Sequence, residues 1–264
     1  MGSLPAHRDA VPAGPPAFRD RAEAGVLLGA RLREVTGRDR TDNPERVRAS
    51  ARPPAVTSDV GEARPMVFAI PRGGVAVAAG VARALDAPLD VLMVRKIGHP
   101  LAPELGLGAI AVDGSGGAAD PCFDAEMLAR VGLTASDLAE VVARERAELA
   151  RRVAVYTRRP APSGGDTEYS SLAGLLVIVV DDGLATGVTA RAAMRAVRAR
   201  GAARTVLAVP VAAPAAVRAI EKETGEVVTL VTPRRFRSVG EWYADFGQLT
   251  DDDVLAVLAS TQQA

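Results

Sequence analysis

The chain has 264 residues, enough for one large core, and is 48% hydrophobic and 24% charged, the composition of a globular protein. Its 32 basic and 32 acidic residues balance, so nothing draws it generally to nucleic acid or to an anionic membrane, and any anion site must be local. A single cysteine, Cys122, and two histidines, His7 and His99, exclude an internal disulfide, make a zinc cluster implausible and leave a serine–histidine mechanism poorly supplied; a cytoplasmic location is the default expectation.

Residues 1–16 lack the continuous apolar core of a secretory signal and read as a flexible leader. A single domain is expected over 17–264, with a polar linker or loop at about 37–65 that is rich in Arg, Pro, Ser and Asp. The first element is FRDRAEAGVLLGARLREV (18–35), in which Phe18, Ala22, Val26, Leu28 and Leu32 recur as on an amphipathic helix. Beyond the linker, MVFAI (66–70) predicts a strand, GVAVAAGVARAL (74–85) a helix, LDVLMV (89–94) a strand and LGAIAV (107–112) another. Thr134 to Asp137 resembles a capping box opening a long helix to about Tyr156, with Leu138, Val141, Val142, Leu149 and Val153 on its apolar side. Residues 157–172 are polar and turn-rich. There follow a strand at 175–180, a helix at about 189–200, a strand at 205–211, a helix at 213–223, a strand at 227–231 and a final capped helix in TDDDVLAVLAS. No run approaches the roughly 18 apolar residues of a membrane span.

Strand–helix–strand alternation with continuously apolar strands predicts an α/β fold, a mostly parallel sheet flanked by helices on both faces. Ligands of such sheets collect at the carboxyl ends of strands, where helix N-termini also point. Asp181 and Asp182 fall at that place, in the stretch VIVVDDGLATGVTA (177–190). Two carboxylates at the end of a buried strand need compensation. They can accept hydrogen bonds from vicinal hydroxyls and sit near a hydrated magnesium ion. Beyond them, Gly187 and the small Ala185 allow backbone N–H groups to approach an anion, and Thr186 and Thr189 add hydroxyl donors around Val188. A ribose 5-phosphate meets both halves in one molecule. A tight turn with Asp caps would account for one Asp and one Gly, but not for the whole string.

The string resembles the signature of the type I phosphoribosyltransferases, which bind phosphoribosyl pyrophosphate through two acids and a small-residue phosphate loop. It lacks the Gly-Lys-Ser/Thr of a nucleoside triphosphatase loop and the spacing of a dinucleotide fingerprint. By this resemblance Asp181 and Asp182 hold the ribose hydroxyls and, through water or substrate, Mg2+, while Ala185, Thr186, Gly187, Val188 and Thr189 hold the 5-phosphate. Pro71-Arg72-Gly73-Gly74 follows the first sheet strand, where the family places a pyrophosphate loop; its glycines free N–H groups for the anion, and Arg72 offers a fork suited to phosphate oxygens. A plain βα turn is the alternative there. Residues 94–112, VRKIGHPLAPELGLGAIAV, look like the family's mobile loop, with Arg95 and Lys96 as cations for the leaving group and Glu104 as a pairing partner for one of them. His99 reads as a surface loop residue. The order of segments from FRDR to VGEWYADFGQ, covering roughly 17–258, resembles a bacterial group of predicted phosphoribosyltransferases. A homodimer is expected from the family alone.

In this fold the acceptor is usually held by a hood made from chain ends and inserts. Only 3% of the chain is aromatic, yet Phe236, Trp242, Tyr243 and Phe246 fall within eleven positions. Trp242 and Tyr243 are thus candidates to stack on a nucleobase-like acceptor, against the alternative of a small satellite core. Family members acting on 6-oxopurines carry an acid where this chain has Ala185, so the loop is closer to the adenine-type form. The implied reaction is transfer of a phosphoribosyl group with release of pyrophosphate. The rivals are a non-catalytic sensor using the same pocket, a hydrolase, for which no G-x-S-x-G string is present, and a receiver-type phosphoacceptor, which would not need the Ala-Thr-Gly-x-Thr cradle.

Overall fold

The computed structural model describes residues 16–37, 63–113, 121–156 and 172–261. The leader, apart from Pro16, and most of the 37–65 linker lie outside these, as does nearly all of the 157–172 segment. Seven strands form one sheet in the order β4-β3-β2-β1-β5-β6-β7: β1 (Pro65–Ala69), β2 (Leu89–His99), β3 (Ala102–Asp113), β4 (Cys122–Phe123), β5 (Leu176–Val180), β6 (Arg204–Val211) and β7 (Glu226–Val231). The five strands from β2 to β7 run parallel, and β3 and β4 are added antiparallel at one edge. The expected mostly parallel sheet is present.

β1 and β5 are buried at every position, as strands covered on both faces must be. Their side chains alternate between two cores. Leu176, Ile178 and Val180 face α1 (Arg21–Val35), α2 (Gly73–Leu85), α4 (Ala139–Tyr156) and α7 (Asp251–Thr261). Val177 and Val179 face α5 (Val188–Ala199) and α6 (Pro214–Thr224). A short α3 (Ala125–Val131), capped by Asp124 accepting from Met127 N at 3.0 Å, was not expected. The Thr134–Asp137 box is real (Thr134 Oγ1 to Asp137 Oδ2, 2.6 Å) but opens a 3-10 turn, Ser136–Leu138, that leads into α4. The final helix is capped as expected, with Asp253 N–H donating to Thr250 Oγ1 and Thr250 N–H to Asp253 Oδ2. Among the described residues no helix is long and apolar enough to cross a membrane.

Residues 94–112 differ from the expectation of a loop. β2 continues to His99 and pairs with β3 from Leu92↔Asp113 to His99↔Ala102, with register shifts around Gly98. The charged pair Arg95-Lys96 interrupts the apolar run but not the strand, because Ile97, Leu107, Ala109 and Ile110 are buried around it. Leu101 N–H donates to His99 Nδ1 at 3.1 Å and closes the turn.

Two features of this frame position the site. Register sets Ala69 opposite Val180, and Ile70 N–H donates to Val180 O at 2.8 Å, so the turns after β1 and β5 emerge side by side. α1 lies tightly on α2, where a Cβ on Gly80 would come within 2.5 Å of Gly25 C and 2.7 Å of Val26 N. Gly80→Ala should therefore lower stability by about 1–3 kcal/mol. The same change at a roomy helical position would gain up to about 1 kcal/mol. Urea unfolding checks the sign, and a gain would show that α1 packs less closely than described.

Candidate functional site

Asp181 and Asp182 leave the end of β5 together. Asp181 Oδ1 accepts from the Asp182 N–H at 2.8 Å, which turns its carboxylate back along the chain. Asp182 Oδ2 accepts from Arg21 Nε at 2.9 Å, in a pair whose side chains are only 16% and 10% exposed. Burial, and then the neighbouring Asp182, push the Asp181 carboxyl well above its usual range. Burial raises Asp182 as well, opposed by the hydrogen bond and charge of Arg21. Two acids thus share one cation.

The Pro71–Gly74 turn lies directly against this pair. A Cβ on Gly73 would fall 1.9 Å from Asp182 Oδ2, and one on Gly74 would fall 2.7 Å from Val180 O and 2.9 Å from Asp181 Cα. Both glycines are required by close packing on the acids, a reason that is not legible in the turn's own sequence. The Pro71–Arg72 peptide is cis. Arg72 is exposed at the start of α2, and its charge bears on the Tyr156 phenol, whose hydroxyl donates to Asp251 Oδ1 at 2.5 Å.

On the other side, Leu184 anchors the phosphate-loop string. Its N–H donates to Val211 O at 2.9 Å, and its carbonyl accepts from Ala213 N at 2.8 Å. Ala185 and Thr186 are exposed beyond it, while Val188 and Thr189 are half-buried. Gly187, at φ 79°, caps α5 with no side-chain hydrogen bond to the helix start. The first N–H groups of a helix have no partner within it, so this end can receive an anion.

Arg95 and Lys96 are not brought together. Adjacent strand residues point to opposite faces. Arg95 turns to α4, where Nε and Nη2 donate to Glu145 Oε2 at 2.9 and 2.8 Å. The Lys96 stem crosses Gly106, whose Cβ would be 3.2 Å from Lys96 Cδ and 3.7 Å from Val188 Cγ1. Lys96 is therefore the one carried beside the α5 turn. The side chain of Glu104 lies outside those described.

The two chain ends meet over the acids. Phe18 pairs with Tyr243 as a β-bridge, with Ala244 N–H donating to Phe18 O at 2.8 Å. Tyr243 is 5% exposed, with Phe18 at 5.3 Å and Phe246 at 5.1 Å between ring centroids. Its hydroxyl donates to Asp182 O at 2.5 Å, and burial raises its pKa. Tyr243 thus supports the acid pair from within a satellite core. Trp242 is half-buried beside it, and its indole N–H has no acceptor among the described residues. Three participants were missed in the sequence: Arg21, Glu145 and the stacking contact of Phe246. Arg21 is one of several arginines on an amphipathic helix, and only its place in the first turn, beside the Asp20 cap, sets it apart.

A partly buried acid pair at the end of a central parallel strand, with an uncapped helix start and a glycine turn on either side, places the chain among α/β proteins whose sites lie at the strand ends. The sequence model of the phosphoribosyl transferase domain matches residues 41–241, and the chain belongs to that family. Two relatives from strains of Mycobacterium tuberculosis, named provisionally as phosphoribosyl transferases, are each 38% identical over 241 residues, 91% of this chain and 46% of theirs. The chain thus spans about half the length of the curated relatives it matches. The crystal structure of TT1426 from Thermus thermophilus is similar at a TM-score of 0.68 and 36% identity, covering 92% of this chain and 98% of that one.

The raised carboxyl of Asp181 gives a pH prediction. The folded protein keeps a proton there that the unfolded chain releases in the ordinary carboxylate range. The resulting stabilisation is complete below that range and is lost as pH rises through the folded value. Above the ordinary carboxylate range the acid therefore costs stability, whether it keeps its proton or carries its charge. Asp181→Asn should raise the thermal midpoint of the ligand-free protein at pH 7, and the gain should shrink as pH falls through the window. Calorimetry across pH measures both. No gain at pH 7 would mean that the carboxylate's contacts fully offset its burial.

Proposed function

We propose that this protein is a phosphoribosyltransferase that moves the 5-phosphoribosyl group of phosphoribosyl pyrophosphate to a nucleobase-like acceptor and releases pyrophosphate, acting in the cytoplasm and as a homodimer. The observation that carries the reading is convergence. Asp181 and Asp182, the Pro71–Gly74 turn packed on them, and the Gly187 helix start all gather at one end of the sheet.

In this reading the acid pair receives the ribose hydroxyls, and the start of α5 receives the 5-phosphate. Asp181 and Asp182 also suit a magnesium ion held through water and ligand oxygens, since among the described residues these two partly buried acids have Arg21 as their near cation. Among the described residues no cluster of three or more candidate ligands gathers that could hold a metal alone, so the ion would come with the donor. When bound, it supplies charge neutralisation on the diphosphate. The C1–O bond to pyrophosphate breaks with its electron pair on the leaving group, and a bond forms from an acceptor nitrogen to C1. Arg72 and Lys96, both exposed, would supply the cations for that leaving group. Closing the site would exclude water and protect the donor from hydrolysis.

A second reading, a sensor that binds the donor or a nucleotide without turnover, is favoured by one observation. Arg95, a cation expected at the leaving group, is engaged by Glu145 instead. Calorimetric titration with phosphoribosyl pyrophosphate and magnesium, followed by pyrophosphate release across a panel of bases, separates the two. Donor binding with release supports the transferase. Binding with no release across the panel supports the sensor, and no donor binding removes both. In the transferase Asp182→Asn should lower kcat by about 10²–10³-fold, the scale of losing one aligned electrostatic contact, with far-ultraviolet circular dichroism unchanged. An unchanged rate would count against the acid pair.

A further inference from the structure

The cation that answers the acid pair comes from the other end of the chain. Arg21 opens α1 and is joined to three groups at once. Its Nε donates to Asp182 Oδ2 at 2.9 Å, its Nη1 donates to Gly247 O at 2.8 Å, and its guanidinium lies 3.8 Å from the Phe246 ring centroid. Gly247 follows the buried Tyr243, whose hydroxyl reaches Asp182 O. Asp182 is thus held by Arg21 at its carboxylate and by the 243–247 segment at its backbone. The Gly73 backbone crowds the same oxygen, Oδ2. Among the described residues, Oδ1 takes no hydrogen bond from another residue.

We propose that Arg21 is a positioning residue for the donor's sugar: by fixing Asp182 Oδ2 and tying residues 243–247 to the same side chain, it sets the orientation in which Asp182 Oδ1 accepts a ribose hydroxyl. This rests on the donor reading above and adds to it a residue outside every motif of the site. A guanidinium suits the task better than an ammonium because its planar fork serves two acceptors in fixed directions while stacking on a ring. Arg21 hydrogen-bonds neither the Gly187 turn nor Arg72; its Nε borders Gly73, where a Cβ would fall 3.2 Å from it, but its direct hold is on Asp182, so its effect falls mainly on the hydroxyl end of the ligand.

Two probes with magnesium present distinguish this from general support of the fold. Ribose 5-phosphate carries the hydroxyls; inorganic pyrophosphate does not. Calorimetric titration of Arg21→Gln should show ribose 5-phosphate affinity reduced roughly tenfold or more, the scale of losing one charge-assisted hydrogen bond, with a clearly smaller change in pyrophosphate affinity. Arg21→Lys should recover part of the ribose 5-phosphate affinity. It also carries the test if the glutamine variant does not fold, through a selective loss smaller than that of a full deletion. Arg31→Gln, which removes only an exposed pair with Glu34 on the same helix, should match the wild type with both probes. Unchanged ribose 5-phosphate binding in the Arg21 variants, or equal loss of both probes, overturns the role of Arg21 alone. If the wild type binds neither probe nor phosphoribosyl pyrophosphate, the donor reading fails first and this inference falls with it.

Discussion

Two carboxylates at the end of one buried strand are the constraint to which the rest of this site answers. The effective cost of taking a charge out of water is several kcal/mol per ion even after relaxation. Asp181 and Asp182 stand side by side in such a place with Arg21 as their near cation. The deficit explains the raised carboxyl of Asp181, the backbone N–H that Asp182 turns onto it, and the absence of any side chain on Gly73 and Gly74. A ligand that brings hydroxyl donors and a divalent cation would complete what the protein leaves partly compensated.

The sheet also sorts charge by face. Because neighbouring residues of β2 point oppositely, Arg95 goes to Glu145 on α4 and Lys96 goes beside Val188 at the start of α5. The two cations, adjacent in sequence, serve different layers of the molecule. One braces the hairpin against a helix. The other stands beside the start of α5. They were expected together at the sheet edge from the resemblance and from their place after an apolar strand, and the structure sends their side chains to different faces.

The aromatic hood shows a similar division of labour. Tyr243 is enclosed by Phe18 and Phe246 and spends its hydroxyl on the Asp182 carbonyl. It thereby couples the chain ends to the acids and makes the hood part of the acid pair's support. Trp242, half-buried with its indole N–H unanswered among the described residues, is the more open ring of the two. An acceptor ring stacked at this end of the sheet would meet surfaces already ordered by the same contacts that hold Asp182.

The sequence by itself determined the parallel α/β sheet, because continuous apolar runs such as VIVV can be satisfied only where both faces are covered. It also placed the acid pair at the end of a buried strand and the Ala-Thr-Gly-x-Thr turn before a helix, because both are local features of one string. The strand at 107–112 was legible, but the extension of β2 past Arg95-Lys96 and the start of β3 were hidden, since a charged dipeptide and several glycines obscure strands whose pairing completes them. Arg21 could be read only as part of the FRDR segment, not as the partner of Asp182. It stands 161 positions from Asp182, and only the close crossing of α1 on α2, permitted by Gly25 and Gly80, carries its guanidinium to the acids. Local chemistry follows from residue order; which cation answers which anion is decided by packing across the whole chain.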